Sequence, residues 1–189
     1  MEKVNNLFLI GCLTLILSSG VAQESPFINT GLISARLTLS PSIKFAGGSS
    51  DFYLHGNLEG YISNAISLAG EGYFYLGTLA SVQEVFRYNH SLFFGASRHF
   101  IKNRQDLYVG LQPGLAFTKL NPHNPPGTTQ AGVNPLMSFV SGYNYYVGKI
   151  FHYFIQVRCV LGNHNYDSPH SLSELRFSAG LGFNLQSRK

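Results

Sequence analysis

The chain has 189 residues, of which 44% are hydrophobic, 14% aromatic and only 12% charged, and its formal net charge at pH 7 is +4. Disorder requires low hydrophobicity and high charge, and nucleic-acid binding requires clustered basic residues, so this composition favours neither. Together with 20 Gly, 11 Tyr and 15 Phe, the low charged fraction instead favours β structure in an apolar medium.

The first 22 residues have the pattern of a secretory signal peptide. Lys3 supplies the positive start, residues 7–17 form the apolar stretch, and Ala22 ends a run of small residues typical of a cleavage site. We therefore expect residues 1–22 to be removed and residues 23–189 to form the mature domain.

Cys12 opens an alternative, because the residues before it loosely resemble the signal of a lipoprotein. The apolar run continues past Cys12 to Leu17, however, which favours the ordinary signal peptide. After cleavage only Cys159 would remain, so the sequence predicts no disulfide within the chain.

Apolar and polar residues alternate with a period of two in eight segments of the remaining chain. Because successive side chains of a strand point to opposite faces, each segment predicts a strand with one apolar and one polar face. The last segment is the clearest, with Leu175, Phe177 and Leu181 on one face and Glu174 and Arg176 on the other. The predicted strands are residues 32–44, 52–62, 66–76, 86–100, 107–118, 135–147, 151–162 and 174–185.

Pro113 lies in the middle of the fifth predicted strand. Proline has no backbone N–H and removes a hydrogen bond from a β-ladder. We keep the strand and predict a local bulge or a missing hydrogen bond at this position.

The connections between the predicted strands alternate in length. Short turns are predicted at 63–64, 101–105 and 148–149, and longer loops at Asn121–Asn134 and Asn163–Ser171; the first loop, 46–50, is short as well. Short turns at one rim and longer loops at the other are typical of an outer-membrane barrel with both termini in the periplasm.

The charges decide which face of the strands meets the apolar medium. A soluble lipocalin-like barrel shows the same alternation but carries Lys and Glu along the outside of its strands. Here every Lys after residue 22 lies at a strand end, in a turn or in the tail. Arg98 is on the apolar face but beside a short turn, from which its head can reach the membrane interface. The sequence thus predicts an all-β, eight-stranded, antiparallel up-and-down transmembrane β-barrel with its apolar face outward.

Aromatic residues cluster at both predicted rims, as in the interfacial girdles of membrane barrels. The residues expected at the short-turn rim are Tyr143, Tyr145, Phe151, Tyr153 and Phe183, and those expected at the long-loop rim are Phe86, Tyr88 and Phe117.

Five charged residues fall on the polar face and predict an ion-pair network in the lumen. Arg36 and Glu59 are expected to be cross-strand neighbours, Arg158 and Arg176 to face each other across the last hairpin, and Glu71 to compensate these two arginines. Buried charges are costly unless paired, and eight strands leave little open lumen. A structural plug is therefore favoured over a constricted ion path.

The last predicted loop brings together residue types that could carry chemistry, namely His164, Asp167, His170, Ser171, Ser173 and Glu174. A Ser/His/acid set could hydrolyse an ester, and the cluster resembles that of the outer-membrane lipid A deacylases, although the nearest string, His164-Asn165-Tyr166, lacks their serine. A metal site from His164, Asp167 and His170 is equally weak. We interpret the segment as a polar loop and predict no catalytic residue, metal or cofactor.

Residues 178–185 resemble the C-terminal β-signal of outer-membrane proteins, with Gly180, Phe183 and Leu185 at the matching positions. The resemblance implies recognition by the barrel-assembly machinery. The family usually ends at the terminal aromatic, whereas this chain continues to Lys189.

Over residues 30–185 the chain resembles the small outer-membrane β-barrel (porin-like) family of Gram-negative bacteria. This implies a location in the cell outer membrane, in contact with its lipid and lipopolysaccharide. The leading hypothesis is a non-enzymatic barrel with a structural role or an extracellular partner, since one fold hosts many functions. The alternatives are a lipid A-modifying hydrolase and a soluble lipocalin-like ligand carrier.

Overall fold

The computed structural model describes residues 27–46, 49–79, 84–122, 129–166 and 168–186, so the predicted signal peptide lies outside the described residues. Within these ranges, no helix is long and apolar enough to cross a membrane. The strands are β1 Leu32–Lys44, β2 Ser50–Ser63, β3 Ile66–Leu79, β4 Phe86–Lys102, β5 Gln105–Leu120, β6 Ala131–Tyr146, β7 Phe151–His164, β8 His170–Ser171 and β9 Glu174–Gln186.

The eight long strands form one closed antiparallel sheet. Strands β1 to β7 each pair with the next along the chain, and β9 pairs with both β7 and β1. The two-residue strand β8 only extends the hairpin at the end of β7. Because the last seam is made by β1 and β9, the barrel has no exposed sheet edge. The predicted up-and-down barrel of eight strands is confirmed.

The outward face of this barrel is apolar along its whole circumference. Large side chains such as Leu185 (67% exposed), Leu58 (61%) and Ile155 (61%) point away from the lumen, while alternate residues are buried inside. A soluble ligand carrier would have the opposite arrangement, with its apolar side chains lining the interior. The predicted orientation is therefore confirmed, and the exterior has the character of a surface immersed in hydrocarbon.

Phe86 is an exception to the prediction. It was expected to point outward at the long-loop rim, but it is buried in the lumen. A register shift between Phe86 and Tyr88 inserts an extra residue into β4, and such a bulge reverses the side on which the preceding residue lies.

Most strands extend beyond their predicted bounds, and the largest change is at the start of β6. Strand β6 begins at Ala131 rather than at 135, because Val133 and Asn134 continue the alternation and Ala131 pairs with Lys119. The predicted loop 121–134 is shorter by those residues. Strand β7 likewise runs on to His164, which pairs with His170 of β8.

Pro113 lies in β5 without a bulge. On one side it pairs with Met137 of β6 in an undisturbed register. On the other side the ladder with β4 has no pairs at Phe94 and Gly95, and the register before and after this gap is the same. Of the two predicted outcomes, the local loss of pairing is the one observed.

Candidate functional site

The inward side chains of the long strands divide the lumen into three regions. Polar and charged residues occupy the middle. An apolar cluster near the long-loop rim consists of Tyr53, Tyr73, Phe86, Phe93, Ala116, Leu120, Leu136, Val160 and Leu172. A second apolar cluster near the short-turn rim consists of Ile28, Leu32, Tyr61, Ile101 and Tyr146.

Arg36 of β1 and Glu59 of β2 form an ion pair in the middle region, and both side chains are almost fully buried. Arg36 Nη1 also donates a hydrogen bond to Tyr108 Oη at 2.9 Å. The second carboxylate oxygen of Glu59 accepts a hydrogen bond of 2.6 Å from Ser67 and lies 3.2 Å from His99 Nε2. Both oxygens of this buried carboxylate are thus satisfied, as a buried charge requires.

Glu71 of β3 is the centre of the second charged group. Its carboxylate lies 2.5 Å from Arg158 Nη2 and 3.0 Å from His55 Nε2. It also accepts hydrogen bonds from the side-chain amides of Gln156 at 2.8 Å and Gln112 at 3.3 Å. Three strands besides β3, namely β2, β5 and β7, therefore converge on this one carboxylate.

Arg176 is paired with Arg158 in the register of β7 and β9, as the sequence predicted. Its carboxylate partner is not Glu71, however, but Glu174 on its own strand, at 2.6 Å from Arg176 Nη2. Glu174, expected on the polar face of the last strand, lies inside the barrel, where it also accepts a hydrogen bond of 2.8 Å from Tyr53 Oη. Each arginine of the facing pair thus has its own carboxylate.

Aromatic rings complete the surroundings of the two facing arginines. The guanidinium carbon of Arg176 lies 4.2 Å from the ring centroid of Tyr53 and 4.5 Å from that of Tyr73. That of Arg158 lies 4.5 Å from the ring centroid of Phe93. Cation–π contacts of this kind stabilise positive charge away from water.

Each pair of diametrically opposed strands is joined by a side-chain contact across the lumen. From the strand order, the opposed pairs are β1 with β5, β2 with β6, β3 with β7, and β4 with β9. The corresponding contacts are Arg36–Tyr108 at 2.9 Å, Tyr61–Tyr146 at 3.2 Å, Glu71–Arg158 at 2.5 Å and Ser91–Arg176 at 2.6 Å. We refer to these as the four cross-lumen contacts.

Sequence reasoning missed a further group near the short-turn rim. Asp106 lies 2.9 Å from His99 Nδ1 and accepts a hydrogen bond of 2.9 Å from Asn144, while Tyr61 donates to it at 3.3 Å. The alternation of the sequence shows that these side chains point inward. It does not show that they lie at the same height along the barrel axis, because this height depends on how far neighbouring strands are staggered.

The described residues of the last predicted loop do not assemble into a site. His164 is buried and bonds to Thr118 through Nδ1 at 2.7 Å, whereas His170 Nε2 lies 3.1 Å from Ser168. The Ser173 hydroxyl bonds to the backbone of Gly162. Asp167 lies outside the described residues, and within them no group of three or more His, Cys, Asp and Glu side chains could hold a metal ion.

The three residues matching the β-signal lie on β9. Phe183 and Leu185 point outward, with 51% and 67% of their surfaces exposed. Gly180 lies against Phe154, whose ring fills the lumen beside it. A glycine there leaves the space that this ring occupies.

No protein-family model matches the chain, and no curated protein does. Solved structures do match its fold. The outer membrane protein OprG from Pseudomonas aeruginosa superposes with a TM-score of 0.67 at 8% identity, over 87% of this chain and 100% of that one.

Two further structures resemble the chain over 82% of its length. The N-terminal β-barrel domain of Pseudomonas aeruginosa OprF has a TM-score of 0.59, 14% identity and 98% coverage of its own chain. Ail, the attachment invasion locus protein of Yersinia pestis, has a TM-score of 0.56, 15% identity and 99% coverage. At these identities the likeness concerns the fold.

Proposed function

We propose that this chain, a small outer-membrane β-barrel, is a non-enzymatic integral membrane protein with a plugged polar lumen. It works through its extracellular loops, which meet a partner outside the cell, or by supporting the membrane. One protein of the same fold, Ail, is named for attachment and invasion, which supports a role at the cell surface.

The four cross-lumen contacts carry the proposal of a plug. Each one spans the full width of the barrel, so the side chains that make it occupy the space through which a solute would pass. One apolar cluster lies toward the long-loop rim, and the other, which includes Tyr61 and Tyr146, lies toward the short-turn rim. A conducting path would need a continuous column of water, which apolar constrictions oppose.

The charges inside the barrel fit a structural role better than an ion path. Glu71 and Glu59 each accept hydrogen bonds or ion pairs on both oxygens, so neither is left available for a passing cation. Removing one member of a buried pair leaves an uncompensated charge, which is strongly unfavourable. The network therefore favours a single closed arrangement of the strands.

The exterior supports the proposed partners. The apolar surface of the strands fits outer-membrane lipid and the acyl chains of lipopolysaccharide. The outward Phe183 and Leu185, with Gly180, fit recognition by the barrel-assembly machinery during insertion.

The plug is tested by electrical recording of the refolded protein in planar lipid bilayers. We expect the wild-type chain to give no steady conductance. The double variant Glu71→Ser/Arg158→Ser removes one cross-lumen contact and both of its long side chains, and should conduct if it folds. Leu181→Ala, an outward change on β9, serves as the control and should stay closed. A steady conductance of the wild-type protein would contradict the proposal.

A further inference from the structure

The exterior of the barrel carries an unbalanced positive charge at the short-turn rim. Arg98 and Lys102 lie on β4, and Arg104 lies in the turn that follows it. The described carboxylates do not balance them: Glu84 is exposed before β4 at the opposite rim, and the others are buried in the lumen, namely Asp51, Glu59, Glu71, Asp106 and Glu174.

Arg98 lies on the outward face among apolar neighbours. Its backbone is paired with Ile66 of β3 and with Val109 of β5. Since Ile66 directly follows the β2–β3 turn, Arg98 lies level with that turn, where the hydrocarbon ends. Its Nε is buried and has no hydrogen-bond partner among the described residues. A guanidinium in this position is stabilised by an anionic group at the interface.

A cavity of about 340 Å³ lies at the same rim, at the turn between β4 and β5. It is lined by Lys102, Asn103, Arg104, Gln105 and Tyr145. The guanidinium carbon of Arg104 lies 5.5 Å from the ring centroid of Phe27, which holds the side chain beside the cavity. Two cations with two amides and a phenol form a set of donors suited to phosphate oxygens.

We propose that this rim binds the phosphate group of an anionic phospholipid in the leaflet that meets the short turns. A lipid is favoured over a soluble phosphate because Leu107, outward and half-exposed, lies on β5 two residues after Gln105, which lines the cavity. An acyl chain can pack on Leu107 while the phosphate group lies between Lys102 and Arg104, and Arg98, four residues back along β4, adds to the positive charge of this rim. The inference requires a membrane-inserted barrel but not a plugged lumen.

The test uses the refolded barrel in the neutral detergent dodecyl maltoside, and native mass spectrometry counts the lipids it retains. We expect the wild-type chain to retain phosphatidylglycerol in preference to phosphatidylcholine. The variant Arg98→Gln/Lys102→Gln/Arg104→Gln should bind phosphatidylglycerol at least about tenfold more weakly, since each basic side chain near a membrane surface adds appreciably to binding.

The matched control is Arg87→Gln/Lys119→Gln, which removes two cations at the opposite rim and should bind as the wild type does. Retained heat-modifiable migration on gels shows that each variant is folded. If the triple variant does not fold, the single variant Arg104→Gln, in the turn, takes its place.

Three results would overturn the proposal. The first is equal retention of the two lipids by the wild-type chain, and the second is an equal loss of binding in the control. The third is displacement of the lipid by inorganic phosphate at the same concentration, which would show a site for the free anion only.

Discussion

Arg158 of β7 and Glu71 of β3 lie on opposite walls of the barrel, and their side chains meet in its centre at 2.5 Å. Neither side chain has appreciable contact with solvent. The pair therefore joins two strands that share no backbone hydrogen bond. Its stability depends on both charges being present, because a lone buried charge is far less stable than a buried pair.

Replacing Glu71 with Ala should lower the free energy of unfolding by about 3–5 kcal/mol, since Arg158 then keeps its charge without a partner. The chain has no Trp, so unfolding in urea is followed by circular dichroism and by heat-modifiable migration of the barrel in lipid vesicles. Glu84→Ala, at an exposed carboxylate before β4, is the control and should unfold like the wild type. Equal urea midpoints for the wild type and Glu71→Ala would count against the network.

A second substitution, Arg158→Met, should restore part of the free energy of unfolding that Glu71→Ala removes. Methionine removes the unpaired charge and keeps most of the side-chain volume beside Phe93. A double-mutant cycle from the same urea titrations should give a coupling energy of about 0.5–3 kcal/mol. Additive effects of the two changes would show that the pair contributes nothing as a pair.

Gly142 of β6 makes room for Tyr108, whose ring lies directly against it and whose hydroxyl meets Arg36. A methyl group at this glycine would overlap the ring. Gly142→Ala should therefore destabilise the barrel by about 1–3 kcal/mol, as overpacking does. The matched control is Gly60→Ala, because a Cβ there meets no atom within 4 Å. If both variants unfold at the same urea concentration, the close packing of Tyr108 on Gly142 does not contribute to the stability of the barrel.

A charge introduced on the exterior should cost more in the middle of a strand than at the rim. Leu58 lies near the middle of β2 and Ile62 near its end, and both are more than half exposed. In lipid vesicles, Leu58→Arg should lower the free energy of unfolding by about 2–4 kcal/mol and Ile62→Arg by about 0–1 kcal/mol. If water rather than hydrocarbon surrounded the barrel, the two substitutions should lower the free energy of unfolding equally. Equal losses at the two depths would contradict the placement of the barrel in hydrocarbon.

Expression of the chain should leave the mass of lipid A unchanged. The Ser173 hydroxyl is bonded to the backbone of Gly162, and His164 is directed to Thr118 inside the barrel. His170 does contact Ser168, but Glu174 is held inside the barrel by Arg176 and Tyr53, so the described residues of this segment form no Ser–His–acid set. Mass spectrometry of lipid A from cells with and without the protein provides the measurement. The loss of an acyl chain only in cells that make the protein would restore the hydrolase hypothesis.

The strands and their orientation could be predicted from the sequence because both depend on local alternation. The side of Leu175 relative to Arg176, for example, follows from the period of a strand alone. The bulge at Phe86 could not be predicted in this way. One extra residue in β4 changes the face to which the residue before it points, and it leaves little trace in the composition.

The ion pairs were predictable only in part. Arg36 and Glu59 could be matched because one short connection fixes their register. Glu174 was expected on the same polar face as Arg176, but the ion pair between these two residues of one strand was not predicted, because Glu71 was assigned to both arginines. The contacts across the lumen require the stagger of strands that are distant in sequence, and alternation carries no information about that stagger.

The four cross-lumen contacts have a consequence for the order in which the barrel is assembled. An open, half-formed sheet presents Arg36, Glu71, Arg158 and Arg176 with the strands they face still out of reach. Only when β1 meets β9 does the sheet curl far enough for all the opposed walls to touch. Joining the final seam should therefore coincide with formation of the Glu71–Arg158 ion pair, whereas Arg36 and Arg176 find their carboxylates on the adjacent strand and on the same strand before the barrel closes.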